Sequence, residues 1–391
     1  MSVNSESFET WIRSAFVQMN TELENLYFAQ ERRENVEGAG DAIKAQLRDE
    51  GHDFVVRLLA EGNTDEGFDN AFDLLGDLGL YLAALRRHEL TNPAREEKSP
   101  FAEASALGLH IAASIGMAPR FATAHLATRN AARDGRQKSF TSLKDEYLFL
   151  DYNTRGIFAF MRAADALTRI LPLGVSHPVT ETLLEDAANA LKDVIAYNDM
   201  LYDKLDADRF FYSVRPYYKP YRVGRQEYRG ANAGDFSGIN EIDLLLGLCQ
   251  ANDPYYAQLL VDKMLFMTPE DQASLRDCMR RRSLLAQFLD VAPASSRELW
   301  FKRNAAMFLE VCRLHGQTAA QHHDRLVKTF IEVPSASLGP DKLAQVTASG
   351  PPLSVLMRAL EILRDMRLAA DRKDIRTSYR DIQALKGFVE A

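Results

Sequence analysis

Apolar residues recur at three- and four-residue spacing through most of the chain. Phe8, Trp11, Ile12, Phe16, Met19 and Leu23 open the pattern within residues 7–34; this is one stripe of an amphipathic helix. The stretch ENLYFAQ at 24–30 looks like a protease tag site, but Ala29 interrupts that motif and the stretch reads as native helix. Residues 66–89 form a second periodic run, and a polar break, TNPAREEKSP, follows at 91–100. Residues 101–132 are helical and rich in small side chains, with an interruption near Met117-Ala118-Pro119. Further helices are predicted over 139–171, 178–206, 240–248, 254–266, 269–289, 297–331 and 353–372, with Asp235 or Ser237 as N-cap of the 240–248 helix. Period-two alternation is confined to scraps such as FIEVP. The pattern therefore predicts an all-α fold. The break at 91–100 suggests an N-terminal helical region, 1–100, and a second helical region, 101–391, carrying the chemistry.

One stretch refuses the helical pattern. Residues 210–238, FFYSVRPYYKPYRVGRQEYRGANAGDFSG, are dense in Tyr, Arg, Gly and Pro. A loop this long in a folded domain is either functional or disordered, and its aromatic content argues for order.

Composition narrows the classes. The 391 residues are 46% hydrophobic and carry a formal charge of −8, so global disorder is excluded. The acidic balance also lacks the footprint of a general nucleic-acid binder. No run of eighteen apolar residues predicts a membrane span, and the start, MSVNSESFETWIRSAF, carries no secretory h-region. The three cysteines, Cys249, Cys278 and Cys312, show no CxxC spacing. A disulfide framework, a zinc knuckle and a covalent haem-attachment motif are therefore not expected, and a reducing cytoplasm is the expected home.

The sharpest chemistry lies on the 297–331 helix. Its apolar stripe runs Phe308, Cys312, Leu314 or His315, Ala319, His322 or His323, Leu326 and Phe330. A strict heptad back from Phe330 reaches His323, yet spacing alone does not choose between His322 and His323. Imidazole can sit on an apolar face, stay neutral near pH 7 and ligate iron. The ordinary alternative is one satisfied core histidine beside one solvated histidine. His315 and His322, one heptad apart, lack a third ligand for a zinc site. In the central stretch, Arg215 follows two phenylalanines and offers a planar fork of donors that suits a carboxylate; the ordinary alternative is a helix ion pair. GANAG at 230–234 allows close backbone approach but is no dinucleotide fingerprint. Asp151, Tyr152 and Asn153 read as helix caps, His110 and His125 as core or surface residues. Arg358, Arg364, Arg367 and Arg372 read as a solvated face.

Three segments in register resemble a known family. FFYSVR at 210–215, GANAGDFSGINEIDLLLGL at 230–248 and HHDRLVKTFIEVP at 322–334 are similar to the indoleamine/tryptophan 2,3-dioxygenase superfamily. SVRPYYKPYRVG is closest to its monodechloroaminopyrrolnitrin synthase branch. The resemblance covers roughly residues 110–370 and implies an indoleamine 2,3-dioxygenase-like, haem-enclosing helical bundle with heme b. It assigns the proximal iron ligand to His323, with Val327 and Pro334 in step. It assigns the substrate-carboxylate clamp to Arg215 and a ring wall to Phe210. The loop over the haem falls on Ala231, Asn232, Ala233 and Gly234, of which Ala231 and Gly234 are also placed against the cofactor. Thr123, Leu126 and Ala127 fall near the indole. The sequence departs from the dioxygenase pattern at Asn232, where serine is usual, and at Ala320, where a propionate-binding arginine is expected. It also departs at 347–352, where the closing loop is usually richer in Gly and Thr. The expected function is a haem-dependent oxygenase using dioxygen on tryptophan or a tryptophan-like indole amino acid. The alternatives are rearrangement of a chlorotryptophan to an arylpyrrole and a non-catalytic haem-binding protein.

Overall fold

In the computed structural model, residues 2–62, 67–231, 234–338 and 351–390 are described. The helices in chain order are α1 (Val3–Ile12), α2 (Ala15–Phe28), α3 (Asp41–Glu61), α4 (Phe68–Arg87), α5 (Ala102–Ile115), α6 (Thr123–Leu126), α7 (Lys144–Leu173) and α8 (Val179–Lys204). They continue with α9 (Ala207–Arg209), α10 (Gly238–Leu246), α11 (Pro254–Met264), α12 (Pro269–Cys278), α13 (Leu284–Ser295), α14 (Leu299–Gln321) and α15 (Val333–Ser335). Helices Leu353–Arg367 and Tyr379–Glu390 complete the series. Among the described residues the strands are β1 (Tyr221–Val223) and β2 (Gln226–Tyr228), an antiparallel hairpin pairing Tyr221 with Tyr228. The all-α prediction is borne out.

The chain folds into two interleaved units. Unit 1 takes residues 1–151, 204–235 and 329–353; unit 2 takes 152–203, 236–328 and 354–391. The polar break near residue 100 does not coincide with this clustering, because residues 101–151 pack with the first hundred. Each unit has its own apolar core.

In unit 1, α4 is buried on nearly all its faces, as its FDLLGDLGLYLAALRR run requires. It packs on α1 and α5. Gly79 makes a close approach possible: a Cβ there would stand 2.3 Å from the backbone nitrogen of Phe121. In unit 2, α10 packs on α12 and α13, and the C-terminal helix packs on α13 and α14. Helix starts follow local chemistry. Asp253 accepts from the Tyr256 N–H and Thr268 from the Asp271 N–H, each with proline at the next position.

Several sequence expectations change. The predicted 7–34 helix breaks at Ser14, and 269–289 breaks where Ser283 caps a new helix by accepting from the Ala286 N–H. Asp151, Tyr152 and Asn153 lie inside α7 and are not caps. Ser237 stands at the N-cap position of α10, as one of the two expected candidates, but its hydroxyl donates to Asp271 at 2.7 Å and makes no cap hydrogen bond. Asp235 is taken by Arg120 and Arg229. The helices at 41–61 and 379–390 were not predicted.

Candidate functional site

Helix α14 runs directly into a π-helical segment, His322–Glu332. Such widened turns are rare and recur at functional sites. Within unit 2, His323 is buried, with 6% of its surface exposed. Its Nδ1 lies 2.7 Å from Oδ1 of Asp324. Arg364 Nη1 is 3.1 Å from the same carboxylate oxygen and 3.3 Å from His323 Nδ1. The shorter contact decides the tautomer: Nδ1 carries the proton and donates to Asp324, which leaves the lone pair on Nε2. Among the described residues nothing bonds Nε2. Burial works to raise the Asp324 pKa, but the His323 hydrogen bond and the Arg364 charge outweigh it and hold the carboxyl below its usual range. His322 differs. It presents accessible surface but is crowded by protein and by the Arg367 charge, and its pKa is pushed down to about 4.

His315 is tied into a buried charge network through one ring nitrogen, its Nδ1 having no hydrogen-bond partner among the described residues. Its Nε2 lies 2.7 Å from Asp243 Oδ1. Arg367 donates to both oxygens of Asp243 at 2.8 Å, and the Tyr256 hydroxyl donates at 2.7 Å. Burial opposes the charge on Asp243, but these donors hold its pKa far below the ordinary value. Among the described residues, no group of three or more His, Cys, Asp or Glu can hold a metal ion. A metal brought by a porphyrin, needing one axial imidazole, is the chemistry that His323 suits. Arg364 and Arg367 are thus not a solvated face, which corrects the sequence expectation.

In unit 1, Phe210–Val214 is a second π-helical turn, followed by a 3-10 turn, Arg215–Tyr218. The Phe210 ring sits 4.9 Å from Phe149 and 5.9 Å from Phe330, centroid to centroid. Arg215 is buried, and its guanidinium carbon is 5.4 Å from the Phe211 ring centre. Desolvation lowers its pKa to about 10, so it remains cationic at neutral pH. It lines a cavity of about 60 Å³ with Arg86, Arg87, Lys219, Glu34 and Glu89. A more open groove on α2, from Gln18 to Ala29, holds neither a cation nor a histidine. Ala231 and Leu126 are packed in the unit 1 core, Thr123 and Gly234 are half-buried, and Asn232 and Ala233 lie outside the described residues. His125 is a core residue: Nδ1 accepts from the Ala122 N–H at 2.8 Å, and Nε2 donates to the Phe72 carbonyl at 2.7 Å.

A family model described as monodechloroaminopyrrolnitrin synthase PrnB matches residues 2–389. The chain belongs to this family. The PrnB family sits in the haem-dependent superfamily of the tryptophan and indoleamine dioxygenases, which bears out the resemblance and extends it through the N-terminal hundred residues. The chain is accordingly a haem-dependent oxidoreductase with heme b and iron, of tryptophan-processing, oxygenase-like function. No helix among the described residues is long and apolar enough to cross a membrane. His323 fits the cofactor: its unbonded Nε2 is the lone pair an axial ligand needs, and its Nδ1–H is already held by a carboxylate. Asp324, Arg364, Asp243 and Arg367 escaped the sequence reading. The available signals were the acid directly after His323 and two arginines three residues apart on one helix.

Proposed function

We propose that the protein is a haem-dependent oxygenase of tryptophan or a tryptophan-like indole amino acid, with His323 as the proximal iron ligand. The observation that carries this reading is the His323 ring itself, buried, with Nδ1 committed to Asp324 and Nε2 unbonded. Bound haem supplies the activation of dioxygen; the protein supplies position and a dry surround. Arg215 takes the substrate carboxylate in its two-pronged donor set, supported by the convergence of four cationic side chains on its cavity. Phe210, held by Phe149 and Phe330, walls the indole. Ala231 and Gly234 are assigned to the cofactor, and Thr123 and Leu126 to the substrate ring, by the family resemblance. Orientation by a clamp of this kind is where much of the rate advantage of such an enzyme arises.

Absorption spectra test the ligand. His323→Ala should lose the histidine-ligated Soret band, and a variant that keeps it overturns the assignment. Arg215→Ala should retain haem while tryptophan binding weakens by more than about tenfold, since a charge-assisted pair contributes about 1.5–3 kcal/mol; unchanged affinity removes Arg215 from the clamp. Product mass after incubation with tryptophan and labelled dioxygen tests the chemistry. Ring cleavage places both labelled atoms in the product, whereas an unlabelled arylpyrrole establishes the rearrangement instead.

A further inference from the structure

The surroundings of His323 contain a second layer of charge that axial ligation alone does not require. The Asp324 carboxylate accepts from His323 Nδ1 at 2.7 Å and faces Arg364 at 3.1 Å and Lys328 at 3.8 Å. Arg364 is fixed in turn: its Nε donates to Asp365 at 2.9 Å, and Asp365 is also bound by Arg372. An imidazole, a carboxylate and a guanidinium therefore meet in a triangle, with Arg364 nearer the carboxylate oxygen at 3.1 Å than His323 Nδ1 at 3.3 Å, drawn from the π-helical segment and from the Leu353–Arg367 helix, all within unit 2.

We propose that Asp324 and Arg364 form an opposed pair that sets the electron density of the His323 ring, and through it the reduction potential of the haem iron. This rests on His323 being the iron ligand. A carboxylate that accepts the Nδ1 proton makes Nε2 more basic, and a more basic axial ligand favours ferric over ferrous iron. A guanidinium on the same carboxylate draws charge back and limits that effect. Asp324 is thus a positioning residue that pushes, and Arg364 is the brake upon it.

The two halves of the pair should move the iron in opposite directions. The haem-loaded full chain is measured by spectroelectrochemistry and by resonance Raman of the ferrous form. Asp324→Asn should raise the midpoint potential and lower the iron–histidine stretching frequency. Arg364→Gln should lower the potential and raise the frequency. A merely structural contact would loosen the histidine in both variants and shift both readouts the same way. That outcome, or two variants indistinguishable from wild type, overturns the proposal. If Asp324→Asn does not fold, Arg364→Gln still decides it, because Asp324 then keeps its bond to His323 and Asp365 keeps Arg372. His323→Ala separates the two levels. Loss of the histidine-ligated spectrum there, with no opposed shifts in the pair, sinks this inference alone. Persistence of that spectrum sinks the ligand assignment beneath it.

Discussion

His125 in unit 1 and His323 in unit 2 are both buried, the first read from the sequence as a core or surface residue and the second as a candidate ligand. At His125 the Ala122 N–H and the Phe72 carbonyl consume both ring nitrogens, and Phe72 stacks on the ring at 3.8 Å. Burial pushes its pKa down to about 3, so it is a neutral, saturated structural element. At His323 one nitrogen is consumed and the other is not. Burial alone therefore does not separate a core histidine from a ligand. Counting the partners on each nitrogen separates these two residues, while His315, with Nε2 on Asp243 and Nδ1 unpartnered among the described residues, shares the pattern of His323 and is set apart from it by its full burial within the Asp243–Arg367 network.

The comparison breaks most visibly under cavity substitution with an added ligand. His323→Gly should bind haem without the histidine-ligated spectrum, and millimolar imidazole should restore that spectrum by occupying the vacated position. His125→Gly should leave the spectrum of the loaded protein unchanged and lower the unfolding midpoint, with no recovery on adding imidazole. If imidazole rescues neither variant, or His125→Gly alters the ligation, the contrast drawn between the two residues is wrong.

The same contrast extends to the buried forks. Unit 1 holds Glu24 with Arg87 at 2.7 and 2.8 Å, and unit 2 holds Asp243 with Arg367 at 2.8 and 2.8 Å. Burial wins at Glu24, whose pKa is raised; at Asp243 the Arg367 charge together with the further donor His315 outweighs burial and tips the balance the other way. Removing one guanidinium strands a carboxylate in an apolar surround. Arg367→Met should therefore cost about 3–5 kcal/mol in denaturant unfolding at neutral pH. Arg87→Met should cost less, because Glu24 can take up a proton more readily than Asp243. Equal losses would show that the extra donors at Asp243 contribute nothing.

Much of this architecture was legible from spacing. The stripe from Phe308 to Phe330 carries α14 and its π-helical extension, and the Pro254 and Pro269 starts fall where a capping acid or hydroxyl precedes proline. The heptad from Phe330 reached His323, but local spacing left His322 equally open. The carboxylate that distinguishes them is one residue away, and the arginine that fixes it comes from residue 364. Pairings between segments distant in the chain leave no period in the sequence. For that reason Arg364 and Arg367 read as surface charges, and nothing in the sequence singled out Asp243. The two-unit division was hidden for the same reason: each unit is assembled from three separated stretches.

The smallest expected effect concerns acid. His125 has a folded pKa near 3 against an ordinary value of 6.5. A depressed histidine pKa means that the folded state binds fewer protons than the unfolded chain below pH 6.5. The stability it supports is fully present above about pH 6.5 and declines as pH falls towards 3. At pH 5 the loss amounts to about 2 kcal/mol, from about 1.5 pH units below the unfolded value. Urea unfolding at pH 7, 6 and 5 should show a shallower fall in stability in His125→Gln than in the wild type; His88, His315 and His322, whose pKa values burial also lowers, add to the fall in both proteins, and the buried acids Asp77 and Glu146, whose pKa values burial raises, oppose it in both. An unchanged slope in His125→Gln would mean that unit 1 opens around that ring before global unfolding, and that its saturated hydrogen bonds do not hold the proton out.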